Sequence, residues 1–362
     1  MSKSKLIGLI ALIAVVVILG GAVVWRQVGP KPAAPPEPVK TENVTGYLGG
    51  EKIGLFDDPQ FAQIAAAQGL KVNYRKAGSL AMMDADRTGM DYLFPSSRAA
   101  VEYGKAKGVN ASNSDIVFNS PIVLYTHKAV VDGLISGGLV TKNGDVYHMD
   151  MAKAVDALAN NKSWADVGYK AGYGQFRIDS TDPVQSNSGN EYAALVATVL
   201  NGGQPATVDS VKRDADKIKA IFSKSGWMET SSEDSFNQFL TLGVGSKPMM
   251  IGYESQILDL AVNQPDAYSQ IKDDVVIVYP TPTVWSTHTL IALDDNGRKL
   301  MDVLKSADVQ KLAWERHGFR ASNFVGTDSI SRFGVPSAAD QLNAVSELPN
   351  NDAMQAIIAA LS

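Results

Sequence analysis

Two long apolar runs, "SDIVFNSPIVLYTHK" from Ser114 and "DDVVIVYPTPTVWSTHTLIALDD" from Asp273, constrain the fold more than any other feature of the chain. Strands usually run about three to ten residues, and a continuously apolar strand is one buried on both faces. Each run is too long for a simple edge strand, and each is broken near its middle, at Asn119–Pro121 and at Pro280–Thr283. A strand that leaves one lobe and enters another, followed later by a strand pair that returns, accounts for both. The first lobe is then expected at residues 46–119 and 282–362, the second at 120–281, and the two breaks act as hinges.

Around these crossings, short apolar runs alternate with helical segments, which predicts α/β layers with mainly parallel strands. "KIGLFDD" reads as the first strand, with Asp58 as N-cap and Pro59 at the first position of the following helix. "KVNYRKAG" and "DYLFPSS" read as the second and third strands, and "FRIDST" and "KPMMIGYES" as strands of the second lobe. With 362 residues, 45% of them hydrophobic and 20% charged, the chain has enough apolar material for two lobes.

The N-terminus carries "LIGLIALIAVVVILGGAVVW", Leu6 to Trp25, an uncharged stretch long enough to span a bilayer as a helix. Residues 1–28 are therefore expected to be a membrane anchor or uncleaved signal, with the short leader inside and the remainder on the extracytoplasmic (periplasmic) side. Residues 29–45 form a Pro-rich linker, in which Pro30, Pro32, Pro35, Pro36 and Pro38 favour extended polyproline II. The absence of cysteine excludes disulfides, thiol chemistry and a lipid-modified cysteine. A net charge of -5 with no basic stripe gives nucleic acid nothing to bind. The histidines, His127, His148, His288 and His317, form no metal-ligand array, and phosphate-loop and G-x-S-x-G motifs are missing. No cofactor, metal or enzymatic activity is expected.

Three strand ends share one design. Gly78-Ser79, Ser96-Ser97 and Ser186-Asn187-Ser188-Gly189 each stand where a strand gives way to a helix, the place where open sheets gather ligands. Hydroxyls and free backbone N–H groups there suit a polar or anionic ligand. The competing reading is helix capping. It is strongest at Ser188, which with Glu191 fits the S-x-x-E capping box.

The order of these βα units, the long crossing strand, the "STDPVQSNSGN" helix entrance, "MMIGYES" and the return crossing is similar to that of bacterial extracellular solute-binding proteins. It resembles their type 2 periplasmic-binding fold, in particular the molybdate- and phosphate-binding branch. The resemblance implies that Asp57 and Asp58, Gly78, Ser79, Ser96, Ser97, Ser186, Asn187, Ser188, Gly189, Tyr253 and Glu254 face an interlobe cleft. It implies closure on a small polar solute or oxyanion, and presentation of the closed form to a membrane permease, for ABC-type transport, or to a signalling protein. The N-terminal anchor and the acidic Asp57, Asp58, Glu191 and Glu254 depart from that pattern. A membrane-anchored sensor or scaffold that binds a protein partner through the same fold is the alternative.

Overall fold

Among the described residues, ten strands are arranged in two sheets that share one strand. They are β1 (Glu42–Leu48), β2 (Leu70–Lys76), β3 (Tyr92–Phe94), β4 (Ser114–His127), β5 (Val140–Asn143), β6 (Val146–Asp150), β7 (Met249–Tyr253), β8 (Val275–Thr281), β9 (Trp285–Ala292) and β10 (Arg320–Ala321). The computed structural model describes residues 41–321, 329–342 and 344–362. The expected anchor at 1–28, and the linker up to residue 40, lie outside the described residues. Among the described residues no helix is long and apolar enough to cross a membrane.

The first strand is "ENVTGYL", not "KIGLFDD". Val44, Gly46 and Leu48 face inward in a period-two pattern. Gly46 disguises that pattern, and its role is close approach: a Cβ there would stand 2.2 Å from the Tyr92 carbonyl oxygen of β3. "KIGLFDD" instead becomes a 3-10 turn, Gly50–Lys52, and a short helix, Ile53–Phe56, with Leu55 and Phe56 buried. Residues 42–45, assigned above to the linker, are therefore strand. "FRIDST" forms no strand; its Asp179 makes one isolated bridge to Met250.

The first sheet runs β2-β1-β3-β9-β4, with β10 also pairing β4; in the second, β7 and β8 pair β4, and β6 and β5 follow β8. The β1–β2, β1–β3 and β6–β8 pairs are parallel and the others antiparallel, so the sheets are mixed rather than mainly parallel.

The handover between sheets lies inside β4. Ser120 and Pro121 pair with Ser286 and Trp285 of β9 in the first sheet, and Ile122 pairs with Tyr253 of β7 in the second. A proline lacks the N–H that a central strand must donate, so it is tolerated where the ladder changes partners. The return crossing is β8, in the second sheet, followed by β9 in the first.

The first-lobe core gathers Val44, Leu48, Phe61, Phe94, Phe118, Leu290 and Leu312. The second-lobe cores centre on Trp164, Phe176, Tyr192 and Ile251 and on Tyr125, Phe239 and Ile257. The C-terminal tail departs from the expected partition. Met354 and Ile357 of the Asn351–Leu361 helix join the core built on Tyr192 and Phe222, and Ile330, Phe333 and Val335 join the core built on Tyr125. The tail's apolar residues thus finish the second lobe, not the first.

Candidate functional site

The turn that leaves β1, Gly49 to Lys52, delivers two charged side chains into the space between the lobes. The Lys52 ammonium is fully buried and donates to Ser96 Oγ at 2.8 Å and toward His288 Nδ1 at 3.2 Å. It also pairs with the Glu51 carboxylate and lies 4.9 Å from the centre of the Phe94 ring. Ser96 Oγ–H donates to the same Glu51 oxygen, and the Ser96 backbone N–H donates to Ser79 Oγ at 3.0 Å. Strand ends of the first sheet thus meet at one carboxylate and one ammonium.

The second lobe closes over this group. Ser232 Oγ–H donates to Glu51 Oε2 at 3.3 Å, and Asn187 Nδ2 donates to the Ser96 carbonyl at 3.3 Å and to the Tyr253 hydroxyl at 3.1 Å. The Tyr253 ring packs edge-on to His288, with centroids 5.7 Å apart. Ser286 Oγ–H, on β9, donates to the buried Glu191 carboxyl of the Asn187–Leu200 helix. Outside the cleft, Lys76 bonds Glu233 at 2.9 Å and Asp234 at 2.8 Å, and the Leu80 N–H reaches the Gln185 carbonyl at 3.2 Å. The lobes are in direct contact. The cavity left between Gly78, Ser79, Asn187, Ser231 and Tyr253 holds about 10 Å³, room for about one water.

Burial sets the charges. It pushes the Glu51 carboxyl up, but Lys52 and His288 together hold it well below the usual carboxylate range, so Glu51 is ionised. Burial lifts Glu191 to about 8 against the Ser286 and Asn187 hydrogen bonds, so its acid form predominates at pH 7. Burial and the Lys52 charge lower His288 to about 4 against the pull of Glu51, which leaves a neutral ring whose Nδ1 lies 3.2 Å from Lys52 Nζ and 3.5 Å from Glu51 Oε1. Burial lowers the Lys52 ammonium against the pull of Glu51 and Glu191, and the Glu51–Lys52 pair has the neutral acid and imidazole beside it.

Of the residues singled out from the sequence, the structure brings Ser79, Ser96, Asn187 and Tyr253 into this network, and Gly78 and Ser186 line its cavity. At Gly78 the backbones of the two lobes approach: a Cβ there would lie 2.4 Å from the Gln185 carbonyl oxygen. Ser97 is a helix cap, accepting from the Ala100 N–H at 3.1 Å. Ser188 and Gly189 turn toward the preceding loop, where Ser188 Oγ lies 2.8 Å from Thr181 Oγ1 and the Gly189 N–H donates to that hydroxyl at 2.8 Å. The Ser188–Glu191 capping box does not form, because the helix begins at Asn187 and Glu191 points to Ser286.

Two acidic expectations are corrected. Asp57 is exposed and accepts from the Tyr74 hydroxyl at 2.8 Å, since the loop that follows β1 is Gly49–Lys52 rather than Asp57–Asp58. Asp58 caps the Pro59–Ala67 helix through the Gln60 N–H at 2.7 Å. Glu254 is buried against Arg320, with contacts of 2.7 and 2.9 Å, and takes a hydrogen bond from the Tyr279 hydroxyl. That places it in a clasp at the lobe crossing. Sequence reasoning missed Glu51, Lys52, Ser232, Ser286 and His288. Reading "ENVTGYL" as the first strand would have put "GGEK" at a strand end and pointed to the first two.

A family profile described as bacterial extracellular solute-binding protein matches residues 58–320. Among curated proteins nothing matches the chain. Solved structures share the fold at low identity. The ferric binding protein from Campylobacter jejuni superposes with a TM-score of 0.56 at 12% identity, over 88% of this chain and 97% of that one. Apo ferric ion-binding protein A from Pasteurella haemolytica gives 0.56 at 14% identity, over 88% and 95%. The sulfate-binding protein SubI from Mycobacterium tuberculosis gives 0.52 at 15% identity, over 78% and 88%. With a two-lobed α/β fold, a polar cleft at its strand ends and a profile match over most of its length, the chain belongs to the bacterial extracellular solute-binding proteins.

Proposed function

We propose that the protein binds a small polar or anionic solute between its lobes without chemical turnover, and passes the closed form to a membrane permease of the ABC type. The observation that carries this reading is the convergence of Ser79, Ser96 and Lys52 from one lobe with Asn187, Ser232 and Tyr253 from the other on a single buried point. Those groups are mainly donors, which suits an oxyanion or carboxylate. The apolar N-terminal stretch, Leu6 to Trp25, would tether the protein to the cytoplasmic membrane with the lobes outside.

The test is thermal unfolding of the full chain against oxyanions, amino acids, sugars and metal ions at millimolar concentration. A ligand at about 100 times its dissociation constant stabilises the folded form by about 2.7 kcal/mol. One compound should raise the melting temperature, and Ser96→Ala should abolish the rise. A second reading, a sensor or scaffold that binds a protein, is favoured by the small cavity of about 10 Å³. It predicts that no compound in the panel shifts the transition.

A further inference from the structure

The Glu51 carboxylate occupies the position that a bound anion would take. The groups against it donate: the Ser96 hydroxyl and Lys52 ammonium from its own lobe, and the Ser232 hydroxyl from the facing lobe at 3.3 Å. A ligand that closes two lobes makes this pattern of contacts, with hydrogen bonds to both sides. Ser231 adds a buried hydroxyl that lines the same cavity and has no partner among the described residues.

Space and charge both restrict the seat to one anion. The cavity of about 10 Å³ beside Glu51 admits no oxyanion next to the carboxylate. Glu191 and His288 are neutral, so Lys52 and one anion balance, and a second anion would leave net negative charge buried. Local backbone adds a further sign of fit. A Cβ on residue 49 would stand 2.6 Å from Glu51 Oε1 and 2.9 Å from Lys52 Nζ, so this arrangement requires Gly49. Glu51 also lines an adjoining groove of about 180 Å³ with Gly54, Asn237 and Gln256, which gives its side chain room to swing out.

We propose that Glu51 is a built-in occupant of the cleft's anion seat: the lobes close on the chain's own carboxylate, and a free small oxyanion or carboxylate enters by displacing it. The proposal rests on the solute-binding reading of the cleft and adds to it an exchange between an internal and an external anion.

The test uses the full chain, wild type and Glu51→Ala, titrated calorimetrically with acetate, sulfate and molybdate, with melting temperature and solution scattering followed in parallel. Glu51→Ala should bind at least one of these anions tenfold or more tighter than wild type. Added anion should raise its melting temperature toward the wild-type value and restore its compactness. Because Glu51→Ala strands the buried Lys52 charge and could unfold, Glu51→Gln serves as a second variant. It keeps the shape, removes the charge, and should also bind anions more tightly than wild type. Lys52→Met added to either variant should remove the gain. Wild type that binds an anion as tightly as both variants would overturn the built-in occupant while leaving the solute-binding reading in place. Folded variants that bind no anion would overturn it as well. If wild type is then also silent across the wider panel, the solute-binding reading falls too.

Discussion

Glu191 takes up a proton as the chain folds, because burial lifts its carboxyl from 4.5 to about 8. The native state therefore binds more protons than the unfolded chain between those values, and stability falls as pH rises through that window. His288 works in the opposite sense. Its folded value, about 4, lies below the ordinary 6.5, so the unfolded chain binds more protons in that interval and stability rises with pH. The two nearly cancel between about pH 4.5 and 6.5, and Glu191 acts alone from there to about 8. Wild type should lose about 2 kcal/mol across that upper interval, and Glu191→Gln should flatten the slope, as read from chemical denaturation at fixed pH steps. The capping-box pattern had suggested a Glu191 carboxylate reaching back to Ser188. Its partner, Ser286, lies 95 residues away in sequence, a distance that spacing rules do not reach.

At the level of elements, the crossing between lobes is held by the clasp of Arg320 on β10, Glu254 after β7 and Tyr279 on β8. Arg320 also donates to the Ala339 and Asp340 carbonyls, and the Tyr279 hydroxyl accepts the Ala339 N–H at 2.8 Å. Removing one partner of a buried pair leaves an uncompensated charge, which costs about 3–5 kcal/mol. Arg320→Ala should lose that much in equilibrium unfolding, and Tyr279→Phe, which deletes the hydrogen bond to Glu254 and leaves the Ala339 N–H without its acceptor, should lose at least about 1.5–3 kcal/mol. The elements that the sequence showed plainly were those with strong patterns of their own: the long run of β4, broken only at Asn119–Pro121, β7, and the helix entrance at Ser186–Gly189. β1 was hidden because Gly46 occupies a core-facing position for the sake of Tyr92, and the strand it displaced, "KIGLFDD", is apolar for a helical reason. That one exchange moved the expected site loop from Glu51–Lys52 to Asp57–Asp58.

On the scale of the whole molecule, closure depends on places where the backbones of the two lobes meet, and Gly78 is one such place. Gly78→Ala should hold the lobes apart by pressing a methyl on the Gln185 carbonyl, seen as a larger radius of gyration in solution scattering, with the far-ultraviolet circular dichroism unchanged. Gly189→Ala is the control. Its clash, 2.2 Å from the Thr181 carbonyl oxygen, lies within one lobe, so it should cost stability without opening the cleft. The two-lobe path was legible because a chain that crosses twice must carry two long apolar runs. The place of the tail was not, since its apolar residues fit either lobe and the choice is made by contacts with Tyr192 and Tyr125. Sharing β4 between the sheets also governs how the protein comes into being. β3 finds its partner β9 some two hundred positions later, and the second lobe waits for Met354 and Ile357. A nascent chain halted after β8 therefore lacks β9 for the first lobe and Met354 and Ile357 for the second, and should remain sensitive to protease throughout, with folding completed only as those segments are added, at the slow pace of long-range pairing.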